Sequence, residues 1–394
     1  MGYGVSYSAN TADWMPERQN PTLKAIDSRF PDYDPYADLY FPGGIANRWM
    51  IETWGSGVRQ LDLNERVDAS GKRLPGIRPV DSADGKQLLT NAIEQRRGVP
   101  SVAKGLEEIR FRDDRPQSWN GASMDDWAIY SVRSTVEHSQ TPIQSWASWF
   151  DAGTADDVLH RFMTQTNPQR VFIGAWAHGG HRAASPFIQS HDTPPNPPYA
   201  DQMAEDICFF DHFVNSAEPP PLRPKKLLAY YTLGAELWKT SAVWPLPQTK
   251  QTKWYFAGEN RLTLRESDAP HSADRYSVDY TASTGTKNRW HTNGGVPEVV
   301  YGDRSAEDNK LLTYTSAPLS RDVEITGQPL VSLYAAVDRD EPSLSIWKMS
   351  TNTAWFATSP RASCVPSTAE TVLGSLPTPS SVHTIAFDEK TPSL

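Results

Sequence analysis

The chain has 394 residues, a formal net charge of −9 and 38% hydrophobic content. That length exceeds what one small core can organise, so two or three domains are expected. The acidic balance repels phosphate backbones and argues against a nucleic-acid partner, and no apolar run reaches the about 18 residues that a membrane helix needs. The 14 tryptophans oppose disorder, while the 32 prolines imply many turns. Cys208 and Cys364 are too few for a disulfide framework or a cysteine-rich zinc site. The N-terminus lacks the basic and apolar regions of a signal peptide, which favours the cytoplasm.

The first residues, Met1-Gly2-Tyr3-Gly4-Val5-Ser6, fit the N-myristoylation pattern, but they make better sense as a strand end entering a tight turn. Lys24-Ala25-Ile26 predicts a short strand running into the acidic stretch Asp32–Asp38, read as a solvated loop. From about residue 43 to 128 no strand alternation appears. Ile45–Trp54 and Gln87–Gln95 predict helices, and the region reads as a mostly helical insertion.

Pro142–Phe150 predicts a strand stopped by Asp151-Ala152-Gly153. A helix follows, with Thr154 as N-cap and Asp157 three residues on in a capping-box arrangement. Val171–Trp176 is a short apolar run of the kind buried on both faces of a parallel sheet, which completes a βαβ unit. Ala200–Val214 predicts a helix with Met203, Ile207, Phe210 and Val214 on its apolar face. Pro219–Pro224 reads as a linker. Beyond it Leu227–Thr232, Lys253–Phe256, Leu311–Thr315 and Leu330–Val337 predict the short strands of an all-β sandwich. After Asp340 the chain turns Ser-, Thr- and Pro-rich, and no regular order is expected.

The chemistry concentrates at three places. Gly4-Val5-Ser6-Tyr7-Ser8 resembles a nucleophile elbow, a strained strand-to-helix turn that needs small neighbours around its serine. Ser8 stands where the general pattern has a second glycine. Asp151 lies past one strand end and His178 past the next, in the order Ser, Asp, His of α/β-hydrolases. In that arrangement His178 takes the Ser6 proton, Asp151 orients the imidazole, and the Tyr7 backbone N–H is one oxyanion donor. The competing readings are an ordinary loop serine for Ser6 and a turn residue for Asp151. His178 and His181 lack the helical spacing and glutamate of a zinc-protease motif, so neither metal nor cofactor is expected. Trp149 and Trp176 are substrate-pocket candidates, with core packing as their alternative.

Gly4–Tyr7, Trp149–Gly153 and Gly174–Gly179, with 178 − 151 = 27 residues from Asp to His, resemble the triad motifs of the cocaine esterase / X-Pro dipeptidyl-peptidase family. Tyr231–Trp238 and Ala317–Gly327 are similar to segments of that family's C-terminal jelly roll. The resemblance implies a truncated α/β-hydrolase domain with a helical lid insertion, followed by a β-sandwich (jelly-roll) domain. Boundaries are expected at 1–216 (lid about 43–128), 225–341 and a divergent tail at 342–394. It implies a serine hydrolase acting on a small-molecule ester, amide or short peptide, X-Pro peptides included. No oligomeric state can be read. The family places its elbow after the fifth strand and an oxyanion tyrosine on an earlier segment, for which no residue here stands by position. That departure sets an alternative beside hydrolysis: an inactive remnant whose role is binding through the jelly roll.

Overall fold

The computed structural model describes residues 1–332 apart from 69–70, 186, 188–192, 216–218, 267–272, 294–298 and 301–302, and beyond 332 the strands at 350–351, 354–355 and 384–390. A six-stranded sheet organises the first part. Its strands lie in sequence order: β1 (Gly2–Val5), β2 (Ile26–Arg29), β3 (Ile143–Ser148), β4 (Gln169–Gly174), β5 (Lys226–Thr232) and β6 (Leu237–Ser241). The first five are parallel and β6 closes the sheet antiparallel to β5. Parallel strands end at a common edge, so the turns after β1, β2, β3 and β4 meet there although paired residues of neighbouring strands are up to 143 − 26 = 117 positions apart in the chain. That convergence assembles the site described below.

Helices cover the sheet: α1 (Tyr7–Trp14) follows β1, α5 (Arg133–Ser139) precedes β3, α6 (Thr154–Thr164) connects β3 to β4, and α7 (Tyr199–Val214) precedes β5. The insertion between β2 and α5 carries α2 (Arg48–Asp62), α3 (Gly85–Arg97) and α4 (Val102–Glu107), with short 3-10 turns before α2 and after α4. Val158, Leu159 and Phe162 of α6 pack on Val171, Ile173 and Leu228 of the sheet, forming one face of the core. Thr154 is the first residue of α6, not its cap, which is Gly153. Its hydroxyl donates to the Asp151 carbonyl at 2.9 Å. Asp157 caps nothing on its own helix; it accepts the backbone amides of Tyr33 and Asp34 at 2.8 and 3.0 Å.

The apolar face expected on α7 is displaced by one residue. Gln202, Asp206, Phe209 and Phe213 are buried, whereas Ile207 is 60% and Val214 43% exposed. The reason lies on β2, which buries Arg29 completely. An enclosed guanidinium needs partners. It donates to Asp206 Oδ2 at 2.9 Å and Gln202 Oε1 at 2.6 Å, so two polar residues of α7 must face inward. Burial, and then the neighbouring Asp206, hold the Asp27 carboxyl well above its ordinary pKa. Asp27 thus sits beside the Asp206–Arg29 ion pair with its charged form disfavoured. The acidic stretch after β2 is likewise not a solvated loop: Asp34 and Asp38 are buried.

The expected boundary between 216 and 225 does not fall where the sheet ends, because β5 and β6 carry that sheet on to Ser241. A second sheet begins at β7 (Thr249–Ala257) and includes β8 (Arg261–Thr263), β9 (Thr315–Ser316), β10 (Glu324–Ile325) and β11 (Leu330–Ser332). β12 (Ser350–Thr351) and β13 (Ala354–Trp355) form a separate pair. β14 (Thr384–Lys390) pairs antiparallel with β7, so regular structure occurs in the tail where none was expected. Of the predicted strand Leu311–Thr315 only its end is extended, and residues 333–337 of the last predicted strand lie outside the described residues. Two short helices, α8 (Arg289–Thr292) and α9 (Ser305–Asp308), stand between β8 and β9. Among the described residues no helix is long and apolar enough to cross a membrane.

Candidate active site

Ser6 occupies the junction of β1 and α1 with φ 62° and ψ −135°. A non-glycine residue in that region carries roughly 1–3 kcal/mol of backbone strain, which the surroundings must hold in place. The Ser6 amide donates to the Arg29 carbonyl at 2.9 Å, and its own carbonyl accepts the Ala9 amide at 2.8 Å. A Cβ on Gly4 would lie 2.1 Å from the Ser8 carbonyl oxygen, which explains the glycine two residues before the serine. On the other side Ser8 replaces the usual glycine. Its hydroxyl accepts the Val5 amide at 2.9 Å and donates to the Val5 carbonyl at 2.7 Å, clamping the turn from within.

Asp151 follows β3 and is fully buried. Its Oδ2 lies 2.8 Å from His178 Nδ1. The acid loop turns sharply: Ala152 adopts φ 43°, and a Cβ on Gly153 would meet the Asp38 carbonyl oxygen at 2.3 Å. His178 follows β4 and opens a short turn in which Gly179 and Gly180 take φ 83° and 78°, conformations that glycine adopts without strain. Gly179 approaches Val5 beside the elbow, and the His178 ring stands edge-on to Phe30 with centroids 5.7 Å apart. Burial opposes the charged imidazolium. The Asp151 carboxylate, by charge and hydrogen bond and with a further push from Asp32, outweighs it and holds His178 above its ordinary pKa.

Several supporting residues escaped the sequence reading. Ser148 Oγ accepts the amides of Trp176 and Phe150 at 2.9 and 3.0 Å and donates to the Trp176 carbonyl at 2.6 Å, fastening the acid loop to the base loop. Gln202 donates to the Gly180 carbonyl at 3.1 Å, which ties the base loop to the Arg29 network. Asp32 is bound to Asn10 of α1 through its backbone amide at 2.8 Å and its Oδ2 at 3.2 Å. Burial, above all, pushes the Asp32 carboxyl up to about 6, against the Asn10 bond and the charge of His178, with Asp151 adding to the rise. The least expected contributor is α8, whose neighbour Asn293 donates to Asp151 Oδ1 at 3.2 Å. No motif marked any of these, because each acts through a contact distant in sequence.

Of the two tryptophans offered as pocket residues, Trp176 belongs to the core instead, while Trp149 is half-buried against it. Trp176 is 0% exposed and its indole N–H donates to the Asn196 carbonyl. Trp149 bridges two core clusters and donates to the Tyr231 carbonyl at 2.7 Å. Aromatic surface beside Ser6 comes from Tyr7, 67% exposed, and from Trp54 of α2, whose ring centroid lies 6.0 Å from it. The His181 ring lies tilted against Tyr199, with centroids 4.0 Å apart. Among the described residues no group of three or more His, Cys, Asp or Glu is placed to hold a metal ion.

Comparison with known proteins bears on this geometry. Residues 2–180 match the X-Pro dipeptidyl-peptidase (S15 family), and residues 218–353 match the X-Pro dipeptidyl-peptidase C-terminal non-catalytic domain. The chain belongs to this family of serine hydrolases. Among curated relatives it is 32% identical over 359 residues to the "Putative serine esterase" of Mycobacterium bovis, covering 84% of this chain and 55% of that protein. It is 24% identical over 371 residues to the cocaine esterase of a Rhodococcus species, covering 86% of this chain and 60% of the relative. The chain thus spans a little over half the length of the curated relatives it matches. A solved aminopeptidase from a marine sediment thaumarchaeon shares the fold, with a TM-score of 0.53 at 16% identity over 84% of this chain and 54% of that one.

Proposed function

We propose that this chain hydrolyses an ester or amide of a small molecule or short peptide through an acyl-enzyme on Ser6, with His178 as general base and Asp151 as its orienter. The observation that carries this reading is the part-buried Asp151–His178 bond of 2.8 Å, set at the same sheet edge as a strained serine at a strand-to-helix turn. A serine hydroxyl is a weak nucleophile unaided. His178 Nε2 accepts its proton as Oγ attacks the carbonyl, and Asp151 stabilises the imidazolium that forms. The tetrahedral oxyanion is met by the Tyr7 N–H at the start of α1. His178 then returns the proton to the leaving group, and water repeats the sequence in reverse to free the acid. Tyr7 and Trp54 provide an apolar wall for the substrate. In this reading the hydrolase unit ends near residue 216, with a helical lid at about 43–128, and the C-terminal domain matched from residue 218 contributes β5 and β6 to the first sheet.

Labelling the purified chain with a fluorophosphonate probe tests the proposal. Wild type is expected to label at Ser6, and Ser6→Ala to abolish labelling with turnover reduced by on the order of 10⁴-fold or more. A folded wild-type chain that remains unlabelled would overturn it.

A further inference from the structure

Asp151 is fully buried, so both oxygens of its carboxylate require donors from the protein. His178 serves Oδ2 at 2.8 Å, and Asn293 Nδ2 serves Oδ1 at 3.2 Å. The same amide nitrogen lies 3.3 Å from His178 Nδ1. That second contact is not a hydrogen bond while Nδ1 carries the proton it shares with Asp151, since both groups are then donors. The carboxylate therefore sets the amide's orientation, because the amide oxygen in that place would repel Oδ1.

Asn293 is held there from two directions. On the acid-loop side the Ala152 amide donates to the Arg289 carbonyl at 2.8 Å, and the Thr292 hydroxyl donates to the Phe150 carbonyl. On the lid side His291 packs on Trp49 of α2 with ring centroids 4.1 Å apart, and Trp290 joins the cluster of Leu39, Met50 and Ala152. Asn288 caps the turn by accepting the Trp290 amide at 3.0 Å. A segment between β8 and β9, 115 residues beyond His178, is thus pinned against the acid loop and delivers one neutral donor to it.

We propose that Asn293 is a positioning residue for the reaction: it fixes the plane of the Asp151 carboxylate, and so the alignment and basicity of His178. This rests on the assignment of Ser6, Asp151 and His178 made above. Among the described residues, the charged groups facing His178 are Asp151 from the β3 loop and Asp32 from the β2 loop. On α8, Arg289 turns instead toward Asp156, at 3.7 Å. Asn293 thus supplies a hydrogen bond without adding charge. Replacing it by the isosteric aspartate keeps the volume but places a third carboxylate at the pair, which favours the imidazolium.

The test uses the full chain, with p-nitrophenyl butyrate turnover, fluorophosphonate labelling and NMR titration of the His178 ring. Asn293→Ala is expected to lower kcat roughly 10- to 100-fold with KM within about threefold, as the base loses alignment. Asn293→Asp is expected to move the acidic limb of kcat/KM, and the His178 titration, upward by roughly one pH unit or more. Folded variants with wild-type kcat and an unmoved His178 titration would overturn the inference. So would a rise in KM alone, which would make Asn293 a substrate contact. Failure of wild type to label at Ser6 would instead refute the parent assignment. The NMR titration needs no turnover and judges Asn293 separately.

Discussion

Replacing Ser148 by alanine probes how the acid and base loops are held together. Its hydroxyl is saturated: one donated bond to the Trp176 carbonyl and two accepted from the amides of Trp176 and Phe150. Three hydrogen bonds at about 0.5–1.5 kcal/mol each give a loss of about 1.5–4.5 kcal/mol. The upper half of that range is favoured because the residue is fully buried and the orphaned amides have no water to turn to. Expected, then, is a destabilisation of about 3 kcal/mol, seen as a lower urea midpoint at unchanged m, with tryptophan fluorescence as the readout. Labelling of Ser6 should slow about 10-fold under conditions where the variant remains folded, because the acid and base loops lose their common anchor. A midpoint shift worth less than about 0.5 kcal/mol, the range of ordinary surface changes, would refute the reasoning.

Two further substitutions probe the geometry of the site. The Asp32 carboxyl is raised to about 6, so below that pH it is neutral and above it adds a negative charge that favours the His178 imidazolium. Asp32→Asn should therefore lower the pH of the acidic limb of labelling; an upward shift would contradict the assignment. The same raised value means that ionising Asp32 costs stability as pH rises from its unfolded value near 4 through about 6, and the variant should lose that part of the pH dependence. Gly4→Ala drives a methyl to within 2.1 Å of the Ser8 carbonyl oxygen, forcing the first turn of α1 to move. Labelling should be abolished and stability reduced by about 2 kcal/mol or more, checked by probe gel and thermal denaturation.

The strands and helices around the candidate triad were legible because each combines a strong local pattern with a turn residue that stops it. Ile143–Ser148, Gln169–Gly174 and the helix from Thr154 all appear within a few residues of their expected places. The helical insertion between β2 and α5 was legible for the converse reason, an absence of alternation interrupted by Gly and Pro. α7 illustrates the limit. Its period was recognised, yet the buried face carries Gln202 and Asp206, and apolar Ile207 is left outside. Hydrophobic patterning cannot register a polar side chain that is buried to satisfy an ion on another strand. The same blindness turned buried Asp34 and Asp38 into an expected solvated loop, and core Trp176 into a pocket residue.

The order of Ser6, Asp151 and His178, and the small residues that allow their turns, were determined by the sequence alone, since tight turns constrain residue types within a few positions. Only the tertiary structure decided that parallel strands bring these turns to one edge, that Ser148 joins two of the loops, and that Asn293 completes the shell of Asp151. Such contacts depend on distances across the fold, and a buried carboxylate takes whatever donor the packing presents to it, however far along the chain that donor lies.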